Sequence, residues 1–206
     1  MTVVAPARRN RDRPRSRRGE GVRLRAEILA AATELLDASG DERAVTLRAV
    51  ARRVGIAAPS IYPHFPDRPA IVLAVARQGF AELGGRIRSA TGSAGDDPRA
   101  RLIGACRAYV DFADRRPARY RLMFGRVHDP EDPTAVGGEA VRILTETLTD
   151  CVAAGRSTST DLRADAISLW VGLHGLAHQH AVAALYPWPP DIVRRVAAPL
   201  SRLVVT

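Results

Sequence analysis

The sequence predicts an all-α protein of about nine helices, with an N-terminal helix-turn-helix unit and a larger α-helical C-terminal domain. Three observations carry that prediction. Apolar residues recur at helical offsets in segment after segment, capping residues stand just ahead of those segments, and no stretch alternates as a half-buried strand would. With 206 residues and 46% hydrophobic content, the chain is sized for one medium domain or two small ones. No apolar run approaches the roughly 18–20 residues that span a bilayer, and the basic N-terminus lacks the apolar segment of a signal peptide. The expectation is a cytoplasmic protein with no membrane partner. Cys106 and Cys151 are too few and too far apart for a disulfide framework or zinc motif, and both sit on apolar helical patterns that predict buried thiols.

Charge is concentrated at the start of the chain. The net charge is +9, of which residues 1–26 carry +7 and the other 180 carry +2. In residues 1–22 arginines, Arg15, Arg17 and Arg18 among them, are interspersed with Pro6, Pro14 and Gly19. Such a segment buries too little apolar surface to fold and is expected to be a disordered arm that neutralises phosphates and reaches a narrow minor groove. Taken alone, a charge run reads as a solvated tail; ahead of the unit that follows, it reads as a DNA contact. The first helix comes next, with Leu24, Ile28, Ala31, Ala32, Leu35 and Leu36 as its stripe and Ser39-Gly40 as its stop.

Residues 46–68, TLRAVARRVGIAAPSIYPHFPDR, hold the densest signal. Leu47, Val50, Ala51 and Val54 share one helical face, Thr46 is placed to cap it, and Gly55 supplies the backbone freedom to end it. Pro59 suits the first turn of a second, short helix that buries Ile61, with Phe65 beyond it. Two helices crossing at a glycine turn make a helix-turn-helix, whose second helix docks in a DNA major groove. An ordinary αα-hairpin would also fit Leu47 to Ile61, but Tyr62, His64 and Arg68 then crowd hydrogen-bond donors where a packed hairpin wants apolar groups.

At this point the sequence resembles the TetR family of transcriptional regulators, whose helix-turn-helix ends in an aromatic, a variable residue, His, Phe and an acidic-basic pair. Here the ending is Tyr62, Pro63, His64, Phe65, Asp67 and Arg68. The resemblance places Pro59, Ser60, Tyr62 and His64 at the DNA, with Arg48 and Arg68 clamping phosphates. Base reading then falls to Ala58, Pro59 and Ser60, whose few donors point to thymine methyl contacts or DNA shape. Two departures stand out. The usual Ser or Thr cap of the recognition helix is Ala57, a loss of about 1 kcal/mol, and Pro63 favours an early end. A short recognition helix that firms up on DNA is expected.

Asp67 and Pro69 open a linking helix, expected over residues 69–89, with Ile71, Val72, Val75, Phe80 and Leu83 as its buried side. Residues 90–97 are expected to form the loop between domains, leaving residues 23–68 as the DNA-binding domain and 97–206 as the second. Asp97-Pro98 caps a helix carrying Leu102, Ile103, Cys106, Tyr109, Val110 and Ala113. A short aromatic helix over residues 118–124 follows, then a loop over 125–133 with His128, Asp129, Glu131 and Asp132. Three further helices are expected over 134–154, 161–185 and 191–204. The run from Tyr120 to Gly125, with Trp170, His174, Gly175, Leu176 and Ala177, resembles the Trp-His-Gly type of TetR C-terminal domain.

That resemblance implies an effector pocket edged by Tyr109, Phe112, Tyr120, Met123, Phe124, Trp170 and His174; in a generic helical domain the same residues would be core. The last two helices are the dimerisation candidates, with Gly172, Gly175 and Ala177 on the first and Val193, Val196, Leu200 and Leu203 on the second. The functional expectation is a homodimeric repressor on a palindromic operator in double-stranded DNA, released by an unidentified small-molecule effector, with no cofactor and no enzymatic activity. A non-specific architectural DNA-binding protein driven by the arm ranks second. A metal-dependent enzyme using His174 and His178, four apart on one helix, ranks last, because no third ligand accompanies them and no metal site is assigned.

Overall fold

The computed structural model describes residues 18–125, 137–183 and 185–204. Among these are eight α-helices: α1 (Arg18–Ser39), α2 (Leu47–Val54), α3 (Arg68–Ser93), α4 (Pro98–Arg115), α5 (Pro117–Met123), α6 (Gly138–Ala153), α7 (Leu162–Val182) and α8 (Ile192–Leu200). Two short 3-10 turns, Glu42–Ala44 and Ala58–Ser60, sit between α1 and α3. No strand is present among the described residues; a lone bridge pairs Ser157 with Leu203. None of the described helices is long and apolar enough to cross a membrane.

The capping residues act where the sequence places them. Thr46 Oγ1 accepts from Ala49 N at 3.1 Å, Asp67 Oδ1 from Ala70 N at 2.8 Å, Asp97 Oδ1 from Arg99 N at 3.1 Å and Asp161 Oδ1 from Ala164 N at 3.0 Å. Gly55, at φ 79°, ends α2, its N–H donating to Ala51 O at 2.9 Å.

Boundaries differ from expectation; α7, expected over 161–185, ends at Val182, and four other differences are larger or bear on function. The helix of α1 already begins at Arg18, so residues 18–22 of the expected arm are helical, whereas Arg15 and Arg17 lie outside the described residues, as do His128, Asp129, Glu131 and Asp132 of the expected loop. The linking helix continues to Ser93, absorbing half of the expected interdomain loop. The last helix stops at Leu200, where Arg202 turns left-handed at φ 48° and Leu203 N donates back to Ala198 O at 2.9 Å, and the tail turns back to pair with residues 156–158. The largest difference concerns the second helix of the helix-turn-helix. It is a 3-10 turn rather than an α-helix: Ser60 N donates to Ala57 O and Ile61 N to Ala58 O. Ala57 offers no side-chain cap, and Pro59 and Pro63 cannot donate, so an α-helical ladder has too few bonds to form. That segment is the ninth element of the expected count.

Two cores result. The N-terminal one gathers Ile28, Ala32 and Leu36 of α1, Val50 and Ala51 of α2, Ile61 and Phe65, Ile71, Val72 and Val75 of α3, and Ala118 and Leu122 of α5. The C-terminal one gathers Leu83 and Ile87 of α3 with the apolar faces of α4, α6 and α7, Tyr120 and Met123 of α5, and Ala197 of α8. Both α3 and α5 therefore belong to both cores. Cys106 and Cys151 are buried free thiols, and burial pushes them up to about 12 and about 11.

At α6 a close approach tests the packing. Gly137 has φ 77°, and a Cβ there would stand 2.5 Å from the Trp170 ring, whereas a Cβ on Gly55, also left-handed, would meet nothing within 4 Å. Gly137→Ala is therefore expected to lower unfolding free energy by about 2–4 kcal/mol in urea titration, and Gly55→Ala by only about 1 kcal/mol.

Candidate functional site

One exposed face belongs to the helix-turn-helix. Ile61 and Phe65 are buried at 0% and 2% exposure and pin the turn to the N-terminal core, which leaves Pro59, Ser60 and Tyr62 facing solvent; Tyr62 is 56% exposed. Ala58 is half-buried against the core. The half-buried His64 ring lies close to Gly21 of α1, and the Arg25 guanidinium sits 4.7 Å above the Phe65 ring. α1 thus holds the turn from behind. Arg48 is exposed at the start of α2, and Arg52, one turn later on the same face, is exposed too. Sequence reasoning overlooked Arg52, although its spacing of four from Arg48 would have found it. Arg68 has a different setting: Nε donates to Val45 O at 2.8 Å and Nη2 to Glu42 O at 2.6 Å. Its guanidinium ties the start of α3 to the turn before α2.

A second site lies inside the C-terminal core, where five of the seven residues expected at a pocket come together. Tyr120 Oη is 2.8 Å from His174 Nδ1 and 3.1 Å from Tyr109 Oη, and Tyr109 Oη is 3.4 Å from the same nitrogen. Phe124 packs edge-on against His174, with centroids 4.6 Å apart, and Trp170 closes the group at 6.0 Å from His174. Phe80 of α3, absent from the expected set, joins through an edge contact to Phe124 at 5.3 Å. Its apolar pattern marked it only as core. Phe112 is buried in the same core, and Met123 packs against Gly79 of α3.

Protonation in this cluster follows from burial. His174 is held below its ordinary value of 6.5, first by burial and then by the neighbouring His178. A neutral ring with its proton on Nε2 accepts at Nδ1 from the Tyr120 hydroxyl. Burial pushes Tyr109 up to about 12 and Tyr120 higher still, so both phenols keep their protons. Trp170 Nε1 is buried without a hydrogen-bond partner among the described residues; it lies near enough to Tyr109 to oppose that rise, yet outside hydrogen-bond geometry. His174 and His178 lie one turn apart on α7, and no group of three or more His, Cys, Asp or Glu side chains able to hold a metal occurs among the described residues.

The two sites are connected by α5. Arg119 Nε donates to Asp37 Oδ1 of α1 at 2.9 Å, and Nη1 donates to Glu82 Oε2 of α3 at 2.6 Å. Arg121 Nη2 reaches Gly40 O at 3.1 Å. The next residue after Arg119 is Tyr120, bonded to His174.

Comparison with known proteins fits this geometry. Residues 28–75 match the family model of bacterial regulatory proteins, tetR family, and residues 102–203 match that of the tetracyclin repressor-like C-terminal domain. The uncharacterized HTH-type transcriptional regulator YobS of Bacillus subtilis is 30% identical over 156 residues, covering 75% of each chain. The chain belongs to the TetR family. It is therefore a DNA-binding transcriptional regulator of helix-turn-helix type. The HTH-type transcriptional activator FasR of Mycolicibacterium smegmatis is 31% identical over 150 residues, covering 70% of this chain and 66%, just under two thirds, of FasR. A solved protein of unknown function from Rhodococcus sp. RHA1 superposes with a TM-score of 0.75 at 30% identity, covering 87% of this chain and 94% of that one.

Within this TetR-family chain, the first matched region ends at Val75, the last α3 residue of the N-terminal core, and the second begins at Leu102 of α4 in the C-terminal core. The half-buried His174, held below its ordinary value, carries a pH signature. The unfolded chain takes up a proton near 6.5 and the folded chain only at lower pH, so the unfolded state binds more protons in between and stability falls as pH drops through that window. Urea midpoints measured from pH 7 to pH 5 should decline, and His174→Gln should flatten the part of the slope nearest 6.5.

Proposed function

We propose that the protein is a homodimeric cytoplasmic repressor that binds a palindromic operator and is released when a small molecule enters the Tyr109–Tyr120–His174 cluster. The observation that carries this reading is the position of α5, whose consecutive residues Arg119 and Tyr120 hold the helix-turn-helix domain and the buried cluster respectively. A ligand that displaces Tyr120 from His174 moves the helix to which Asp37 and Glu82 are bound. Such a ligand acts only through a difference in affinity between the two arrangements. The cluster offers aromatic walls and no carboxylate, which suits an uncharged, largely apolar effector with an oxygen acceptor for Trp170 Nε1.

On the DNA side, Arg48 and Arg52 are assigned to phosphates, Tyr62 and His64 to docking, and Ala58, Pro59 and Ser60 to the groove, with Arg15, Arg17 and Arg18 extending the contact. Arg68 supports the turn before α2 and reaches DNA only by giving up its bonds to Val45 and Glu42.

Dimerisation is assigned to the outward face of α7. Val193, Val196, Leu200 and Leu203 of the C-terminal segment pack against their own chain, and Gly172 receives Leu200 and Val196 of α8. The other side of α7 leaves Ile167, Val171 and Val182 exposed at 39%, 56% and 64%, with Gly175 open between them. An apolar stripe of this kind on a soluble surface marks an interface.

Three measurements follow. Arg48→Gln should weaken binding to promoter fragments selected by the wild-type protein and reduce the salt slope of affinity by about one; an unchanged slope excludes a phosphate contact. Val171→Asp should shift the sedimentation profile from dimer to monomer and weaken operator binding by roughly tenfold or more, because each half-site then binds alone. FasR is named an activator, so a promoter reporter in cells decides the sign here: repression requires expression to rise when the gene is deleted.

A further inference from the structure

The helix-turn-helix and the buried aromatic cluster leave one built cleft without a role. It lies between α4 and α8, with a volume of about 310 Å³, at the small end of ligand-binding pockets. Arg99, Ile103 and Arg107 line it from one face of α4, Arg194 and Ala198 from one face of α8, and Leu203 from the tail. The tail is fixed in place: Arg99 donates to Val204 O, Thr158 N to Arg202 O at 3.0 Å, and Val204 N to Arg156 O at 3.0 Å.

The charges around this apolar floor are unbalanced. The carboxylate on the lining, Asp97, caps α4 by accepting from Arg99 N at 3.1 Å. Asp191, one turn before Arg195, accepts at Oδ1 from Arg195 Nε at 2.7 Å, and Arg194 acts on that carboxylate through charge alone. Among the described residues Arg107 and Arg194 make no ion pair or hydrogen bond. Two guanidinium groups with unused planar N–H forks therefore stand at the rim of a cleft floored by Ile103, Ala198 and Leu203. The site is also remote from DNA. α3 runs 26 residues from the helix-turn-helix to the loop that opens α4, about 39 Å at the helical rise.

We propose that this cleft binds a small amphipathic anion, a carboxylate or phosphate monoester carried on an apolar group, with Arg107 and Arg194 holding the anion and Ile103, Ala198 and Leu203 the apolar part. The site is separate from the effector cluster and its occupancy does not depend on DNA.

Calorimetric titration of the full chain with phenyl phosphate and with benzoate tests this, with phenol and inorganic phosphate as partial probes. The comparison variants are Arg107→Gln/Arg194→Gln and, removing equal charge at the DNA face, Arg48→Gln/Arg52→Gln; thermal unfolding verifies that both fold. The expected result is one site per chain for at least one aromatic anion, weakened roughly tenfold or more in the cleft variant and unchanged in the control, because charge-assisted hydrogen bonds are lost only in the first. Binding of one anion alone narrows the class to carboxylates or to phosphates. Absence of binding by both, or equal weakening in both variants, overturns the proposal. So does phenol binding as tightly as the anions and competing with them, which leaves only an apolar hole, or inorganic phosphate binding as tightly, which leaves an adventitious ion only.

Discussion

The architecture depends on one guanidinium. Arg119 projects from the short helix α5 and satisfies carboxylates from two other helices, Asp37 of α1 and Glu82 of α3, while itself only 15% exposed. Arginine suits that position because its planar fork presents donors in two directions at once, which a lysine ammonium cannot do with fixed geometry. The partial burial strengthens the attraction, and hydrogen bonds to both carboxylates repay the desolvation that burial imposes. Held this way, α5 can direct Ala118 and Leu122, four apart on one face, into the N-terminal core, and Tyr120 and Met123 into the C-terminal one. A seven-residue helix is too short to be stable by itself. Its conformation is set entirely by the two bodies it touches.

The turn over residues 58–65 is governed by the same economy of backbone. It lacks the capping side chain and two of the N–H groups that an α-helix would use, yet Ile61 and Phe65 at almost zero exposure keep it in place. Packing substitutes for helical propensity. α1 completes the arrangement from behind, through Arg25 on Phe65 and Gly21 beside His64, so any displacement of α1 transmitted from Asp37 reaches the docking turn directly. In the TetR family frame, this gives a continuous path of named contacts from His174 to His64 and Phe65, by way of Tyr120, Arg119, Asp37 and α1.

The starts of α2, α3 and α4 were legible in the sequence because caps and apolar periodicity are local: Thr46, Asp67 and Asp97 each act within three residues of themselves. The motif around Tyr62, His64 and Phe65 was legible for the same reason. Long-range pairings were not. Nothing in the spacing of Arg119, Asp37 and Glu82 announces that they meet, and nothing distinguishes the inward stripe of α8 from the outward stripe of α7, since both are apolar with helical period. Arg68 illustrates the limit: its position in the motif suggested phosphate, whereas its guanidinium meets backbone carbonyls of residues 23 and 26 positions earlier. Aromatic residues of the cluster were identifiable as a group, but which of them carry hydrogen bonds depends on α5 and α7 lying side by side.

The central claim is that α5 makes the buried aromatic cluster and the helix-turn-helix domain mechanically one system. Amide hydrogen exchange on the full chain, comparing wild type with Tyr120→Phe, addresses it most directly, because that change removes the bond to His174 and leaves every contact of Arg119 in place. Faster exchange in α1 around Asp37 and in residues 58–65, as well as in α5 and α7, is the predicted result. Exchange that rises only in α5 and α7, with α1 and the docking turn unchanged, would contradict the account.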